Sequence, residues 1–136
     1  MRVIFFLPIL FLAIACNNSN SSGNATSHDS TKTVVVKTER ESPANYLISE
    51  GNYRKNVAGR WVVEGTITNK ATHTFYKDVV LKVFYYDKAN KEIGSELLTV
   101  NDYFKPGSTK EFKVKSYGTY GAKSVGYKIV SAKVMD

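Results

Sequence analysis

The sequence predicts an all-β protein whose folded part is a sandwich of two antiparallel sheets with about seven strands. From Val34 onward, hydrophobic side chains alternate with a period of two residues, which is typical of half-buried strands. Turn residues separate the alternating stretches, and no stretch carries a helical stripe of hydrophobic residues. With 136 residues, of which 43% are hydrophobic, the chain is long enough for one domain and too short for two.

The N-terminal segment has the composition of a signal peptide. Arg2 supplies positive charge, and an apolar run from Val3 to Ala15 is interrupted only by Pro8. This run is shorter than the ~20 residues that a membrane-spanning helix needs. The small residue Ala15 precedes Cys16, the one cysteine of the chain, and polar residues follow.

Residues 12–16, with the sequence LAIAC, resemble the lipobox of bacterial lipoproteins. The resemblance implies that residues 1–15 are removed and that Cys16 is lipidated, with palmitate-type acyl chains anchoring the protein in a membrane. The usual leucine three positions before the cysteine is Ala13 here. The alternative is an ordinary secretory signal with an incidental cysteine. A lipoprotein with Asn17 after the cysteine is expected in the cell envelope, at the periplasmic face of the outer membrane.

A polar tether is predicted over residues 16–33. Twelve of the seventeen residues after Cys16 are Asn, Ser or Thr, so the segment is expected to be disordered. Residues 29–31 resemble a short bacterial O-glycosylation sequon, which makes Ser30 a candidate modification site. The formal net charge of +7 is scattered along the chain. In an envelope protein this charge favours contact with anionic lipids or polymers, and nucleic acid is not expected as a partner.

The domain predicted over residues 34–136 contains seven candidate strands. The clearest runs from Trp61, the candidate centre of the core, to Asn69, with hydrophobic residues at alternate positions. Pro106 and Gly107 occupy the central positions of a type II turn, and Asn90 suits the left-handed position of a hairpin turn. The candidate strands are residues 34–38, 45–54, 61–69, 78–87, 93–100, 109–116 and 124–134.

Side chains near the strand ends have structural interpretations. Asp87 and Asn69 are expected to accept hydrogen bonds from turn amides. Gly65, in the middle of a strand, is expected at a bulge or at a close approach by a neighbouring ring.

Three motifs together resemble the FxLYD domain family. Residues 61–69 (WVVEGTITN) look like its V-x-G-x-V-x-N strand, residues 83–87 (VFYYD) end as its F-x-L-Y-D motif does, and residues 104–108 (FKPGS) resemble its L-x-P-G turn, with Phe112 following. Val83 and Tyr85 depart from the named Phe and Leu. The resemblance covers residues 46–134 and implies an immunoglobulin-like sandwich with no catalytic residues to transfer.

The sequence offers little catalytic material, and no enzyme, cofactor or metal is predicted. The domain has one histidine, His73, in a predicted loop, and no phosphate-binding loop or metal-ligand spacing is present. Glu64 and Glu96 lie in different strands and could face one another as the carboxylate pair of a glycan hydrolase. Solvent-exposed strand positions are the alternative interpretation.

Aromatic residues near turns are the candidate binding groups. Tyr103 and Phe104 precede the Pro106–Gly107 turn, and Tyr117 and Tyr120 lie in a Gly/Tyr loop. Tyrosines in the loops of a sandwich provide rigid contact surface, although rings at these positions can also cap the core. The predicted function is a non-catalytic envelope module that binds a protein partner or an envelope glycan. The alternative is a structural spacer or assembly subunit.

Overall fold

The computed structural model describes residues 27–136 and consists mainly of β-strands. The signal peptide predicted over residues 1–15 and Cys16 lie outside the described residues. The elements are α1 (Ser27–Glu41), a 3-10 turn (Pro43–Asn45), β1 (Leu47–Lys55), β2 (Trp61–Asn69), β3 (Tyr76–Tyr86), β4 (Glu92–Phe104), β5 (Thr109–Ser116) and β6 (Ser124–Val134).

The strands form two antiparallel sheets of three strands each. The first sheet has the order β1-β2-β5, and the second has the order β4-β3-β6. The prediction of an all-β sandwich of antiparallel sheets is therefore confirmed, with six strands rather than seven within residues 27–136.

The core lies between the two sheets and follows the predicted alternation. In β3 the side chains at positions 79, 81, 83 and 85 are buried, while those between them are partly exposed. Val63 and Ile67 of β2 face them as members of the same cluster. Trp61 is buried in this cluster too, but it is the first residue of β2 and therefore lies at one end of the core rather than at its centre.

The sandwich has two ends, and different elements lie at each. At the helix end lie α1, the loop 70–75 and the turn 105–108. At the opposite end, here called the loop end, lie the loops 56–60, 87–91 and 117–123. Because β3 contains 11 residues, the two ends are separated by about 35 Å, at roughly 3.3 Å per residue.

The strand predicted over residues 34–38 is wrong, because these residues belong to α1. Its three consecutive valines favour a strand, but none of the six described strands pairs with them. The helix is fixed instead by contacts of Glu39, whose carboxylate and backbone carbonyl both accept hydrogen bonds from the domain. Residues 27–33 of the predicted tether form the first half of the same helix.

The predicted turns are confirmed. Gly107 has φ +72° and the N–H of Ser108 donates to the carbonyl of Lys105 at 3.0 Å, as a type II turn requires. Asn90 adopts φ +58°, and the Asp87 carboxylate accepts hydrogen bonds from the N–H groups of Ala89 and Lys91. Asn69 Oδ1 likewise accepts the N–H of Ala71 at 2.9 Å.

Gly65 marks a close approach of backbones, not a bulge or a ring contact. It pairs with Gly51 of β1 in an unbroken register. A Cβ atom at position 65 would lie 2.1 Å from the carbonyl oxygen of Glu50, so only glycine fits there.

Candidate functional site

Two of the predicted binding residues lie together at the loop end. Tyr117 and Tyr120 belong to the connection between β5 and β6, which crosses from the first sheet to the second. Tyr117 is 80% exposed and Tyr120 is fully exposed. These rings therefore do not cap the core, which was the alternative interpretation of their position.

Trp61 forms the base of this end. Its ring makes an edge contact with Tyr53 at a centroid distance of 5.6 Å, and the Lys55 Nζ lies 4.6 Å from the ring centroid. Gly118 covers another edge, because a Cβ atom there would lie 3.1 Å from Trp61 Cδ1. With φ +78°, Gly118 turns the loop directly against the indole. Tyr117 and Tyr120 of the same loop are exposed to solvent.

Hydrogen bonds of ordinary length fix both loops that carry the site. Asn56 Oδ1 accepts the N–H groups of Ala58 and Arg60, at 3.0 and 2.9 Å, which closes the turn between β1 and β2. In the second loop, Ser116 Oγ accepts the N–H of Gly118 at 3.1 Å. The N–H of Lys123 then donates to the carbonyl of Tyr86 at 2.8 Å, tying the loop to the second sheet.

Two depressions flank Tyr117, one with a single cation and the other with two. The larger, of about 270 Å³, has Lys55 beside Trp61, Tyr117 and Tyr120. The smaller, of about 170 Å³, is lined by Arg60, Lys115, Ser116 and Tyr117, and the Arg60 guanidinium lies 5.2 Å from the Tyr117 ring centroid. Neither lining contains a carboxylate.

These cations are available to a ligand. None of the ion pairs found within residues 27–136 involves Lys55, Arg60 or Lys115. The three cations were not predicted from the sequence, because lysine and arginine at strand ends are common on any solvated surface. Only the cross-strand register brings them around Tyr117.

The other two predicted binding aromatics lie at the helix end. Tyr103 is 57% exposed and sits near the end of β4, far from Tyr117. Phe104 does not belong to a binding surface, because its ring is fully buried in the core cluster. The alternating pattern of β4 turns Phe104 inward and leaves Tyr103 on the outer face.

Glu64 and Glu96 do not form the carboxylate pair that a glycan hydrolase requires. Glu64 lies on the outer face of the first sheet, where it pairs with Arg54 at 2.9 Å and Lys113 at 3.2 Å. These hydrogen bonds hold the pKa of Glu64 below its usual value. Glu96 accepts a hydrogen bond from the hydroxyl of Tyr85, which faces the core of the sandwich. The first sheet therefore separates the two carboxylates.

Glu39, a buried carboxylate at the helix end, was not predicted from the sequence either. It accepts five hydrogen bonds: from the N–H and hydroxyl of Thr72, the N–H of His73, and the N–H and hydroxyl of Thr74. Burial raises the pKa of Glu39, but these bonds outweigh it and leave the pKa below its ordinary value. The site is structural, since every bond joins α1 to the loop 70–75.

The remaining candidate residues give no further site. Ser30 is exposed and lies in α1. Within the part of the chain that the structure describes, no group of three or more His, Cys, Asp or Glu side chains could hold a metal ion. No helix among those residues is long and apolar enough to cross a membrane.

The comparisons with known proteins gave no match. No protein-family model, curated protein or solved structure matches the chain. The FxLYD resemblance therefore rests on its sequence motifs alone and stays a prediction.

Proposed function

We propose that this protein is a lipid-anchored module of the bacterial cell envelope that binds an acidic envelope protein or glycan through its loop end. The observation that carries the proposal is the combination of exposed Tyr117 and Tyr120 with Lys55, Arg60 and Lys115 around them. Aromatic rings offer broad contact area at low entropic cost, and the cations select negatively charged groups. The proposal includes no catalytic step.

The arrangement of the two ends supports this role. The chain enters the domain through α1 at the helix end, so a membrane anchor on Cys16 would attach there. The tyrosines lie at the opposite end, about 35 Å away along the strands. An anchored domain therefore presents its binding loops away from the attachment point, and an anchor in the outer membrane directs them into the periplasm.

A second candidate function, as a structural spacer, is favoured by Glu39. Its five hydrogen bonds join α1 rigidly to the domain, and a rigid joint suits a protein that holds a partner at a set distance. The two candidates differ in what they require from the loop end, because a spacer that docks elsewhere does not need exposed tyrosines.

The binding proposal is tested by capture from envelope membranes with the full chain. We expect Tyr117→Ala with Tyr120→Ala to abolish capture of the partner. Lys55→Gln with Arg60→Gln should reduce the amount captured and make it depend less on salt. Tyr103→Ala is the matched control, because this exposed tyrosine lies at the helix end. Glycosidase or protease treatment of the captured material distinguishes a glycan from a protein. Equal capture by all variants would contradict the proposal and favour the spacer.

The anchoring proposal has its own test. Cys16→Ser removes the acceptor thiol, so the variant should move from the membrane fraction to the soluble periplasmic fraction, and metabolic labelling with a fatty acid should be lost. Ser19→Ala, at another polar position after the cysteine, is the control and should remain in the membrane. Retention of Cys16→Ser in the membrane would rule out lipidation as the anchor.

A further inference from the structure

The edge of the first sheet formed by β1 is regular and unprotected. β1 pairs with β2 over all nine residues without a register shift, and its other edge has no neighbouring strand within the described residues. The strand contains no proline, and only Leu47 among its residues is buried. Natural sheets usually protect such an edge with proline, a bulge or inward-pointing charge, because its free N–H and C=O groups can pair with another strand.

The other edges of the sandwich are less suited to pairing. The ladders that join β4 and β6 to β3 both contain register shifts. At β5, Lys110 forms an ion pair with Asp102 of β4 across the side of the sandwich.

β1, by contrast, carries one lysine, Lys55, and this residue lies over the Trp61 ring at the end of the strand.

The residues of β1 are complementary to a second copy of the same strand. Glu50 and Arg54 lie on the outer face of the sheet, whereas Gly51 and Tyr53 lie on the inner face, opposite Gly65 and Val63. Antiparallel pairing of two β1 strands about Asn52 sets each Glu50 opposite Arg54 of the other copy, and each Gly51 opposite Tyr53. Two opposite-charge pairs and two glycine–tyrosine pairs then form across one two-fold axis.

The side chains are free to make these contacts. Glu50 takes part in none of the ion pairs of residues 27–136. Arg54 contacts Glu64 through its Nε atom, which leaves its Nη donors for a second carboxylate. Tyr53 is 41% exposed, so pairing with a glycine covers ring surface that the monomer leaves in water.

We infer that two copies of this chain associate through β1, which joins their first sheets into one six-stranded sheet. The inference goes beyond the proposed ligand site and does not depend on it. The two-fold axis passes beside Asn52, so the loop ends of the two copies point in opposite directions along the joined sheet.

Disulfide trapping of the full chain in cell membranes tests the pairing. Directly opposed residues of antiparallel strands have Cα atoms about 4.5–5.5 Å apart, within the range of a disulfide. Asn52→Cys should therefore give a covalent dimer on mild oxidation, seen on a non-reducing gel. The wild-type chain, whose one cysteine is Cys16, controls for background. Glu111→Cys, which lies on the same outer face but on β5, should give no dimer.

Charge reversal then tests the register. In the Asn52→Cys chain, Glu50→Arg or Arg54→Glu alone should lower the trapped fraction about fivefold, and the two together should restore it. Arg54→Glu also places a carboxylate beside Glu64 within each copy, and this repulsion is present in the combined variant as well. Recovery of the trapped fraction in the combined variant therefore reports the contact between copies. A trapped fraction no higher than for Glu111→Cys, or a combined variant as low as the single ones, would overturn the inference. Tyr117→Ala with Tyr120→Ala should leave trapping unchanged.

Discussion

The carboxylate of Glu39 accepts hydrogen bonds from both the N–H and the hydroxyl of Thr74, at 3.0 and 2.8 Å, across 35 residues of sequence. Two more donors of Thr72 and one of His73 complete the set. The hydroxyl of Tyr76, the first residue of β3, donates to the backbone carbonyl of Glu39 at 2.7 Å. One helical residue therefore closes the helix end of the sandwich with both its side chain and its backbone.

Replacing Glu39 should destabilise the fold strongly. In Glu39→Ala, the donors of the loop 70–75 lose their acceptor in a buried site, and we expect the free energy of unfolding to fall by about 2–4 kcal/mol. Chemical denaturation followed by the fluorescence of Trp61, the one tryptophan, measures this change. Glu41→Ala on the same helix is the control: Glu41 forms an exposed ion pair with Lys37, so its loss should cost less than about 0.5 kcal/mol. Equal effects of the two variants would show that Glu39 does not fix the helix.

The contribution of Glu39 should disappear in acid. The hydrogen bonds lower the pKa of Glu39 in the folded protein from its ordinary value of 4.5, so the folded state favours the charged form. Its contribution is therefore complete above pH 4.5 and is lost as the pH falls through the lowered folded pKa. We expect the difference in unfolding free energy between wild type and Glu39→Gln to be largest near neutral pH and to shrink in acid. The lowered pKa values of Glu64 and Asp102 affect both proteins equally and cancel in this difference.

Tyr85 gives the opposite dependence at high pH. Burial and the hydrogen bond to Glu96 raise the pKa of Tyr85 from 10.0 to about 12, so the folded state favours the neutral phenol. The contribution of Tyr85 to stability should therefore be complete below pH 10 and should be lost as the pH rises through about 12. Tyr85→Phe should weaken this fall, which unfolding curves recorded at increasing pH will measure. Tyr117→Phe, at an exposed ring, is the control and should leave the pH dependence as it is in the wild type.

The sequence was sufficient to predict the sheets but not the helix. Strands β2, β5 and β6 were predicted with correct ends, because alternation and turn residues are local signals. The valines of α1 carry a local preference for strand, and what decides their structure is a contact between Glu39 and a loop more than thirty residues away. No local pattern contains that contact.

In the candidate site, too, local signals predict some residues, whereas the position of others depends on strand pairing. Tyr117 and Tyr120 were predicted to lie in a loop because glycines surround them. The sequence left open whether Phe104 binds a partner or caps the core. The phase of β4 turns its ring into the core, and the partners of β4 in β3 set that phase. The grouping of Lys55 and Arg60 with Tyr117 depends on the register between β1, β2 and β5.

Two costs of a side chain at Gly118 can be measured separately: the clash with Trp61 and the strain of a positive φ angle. Gly118 and Gly59 have nearly equal φ angles of +78° and +73°, but only at Gly118 would a Cβ atom meet a neighbour, Trp61 Cδ1, at 3.1 Å. Gly59→Ala should therefore cost only the backbone strain, about 1–2 kcal/mol of unfolding free energy.

Gly118→Ala should cost more than Gly59→Ala and should also shift the emission maximum of Trp61, because the indole has to move. Denaturation curves and emission spectra of the two variants measure both effects. Because Gly118 lies between Ser116, which holds the loop, and the exposed Tyr120, the same substitution should also weaken capture of the partner. If both variants have the same stability and spectrum, Trp61 is not the base on which the binding loop rests.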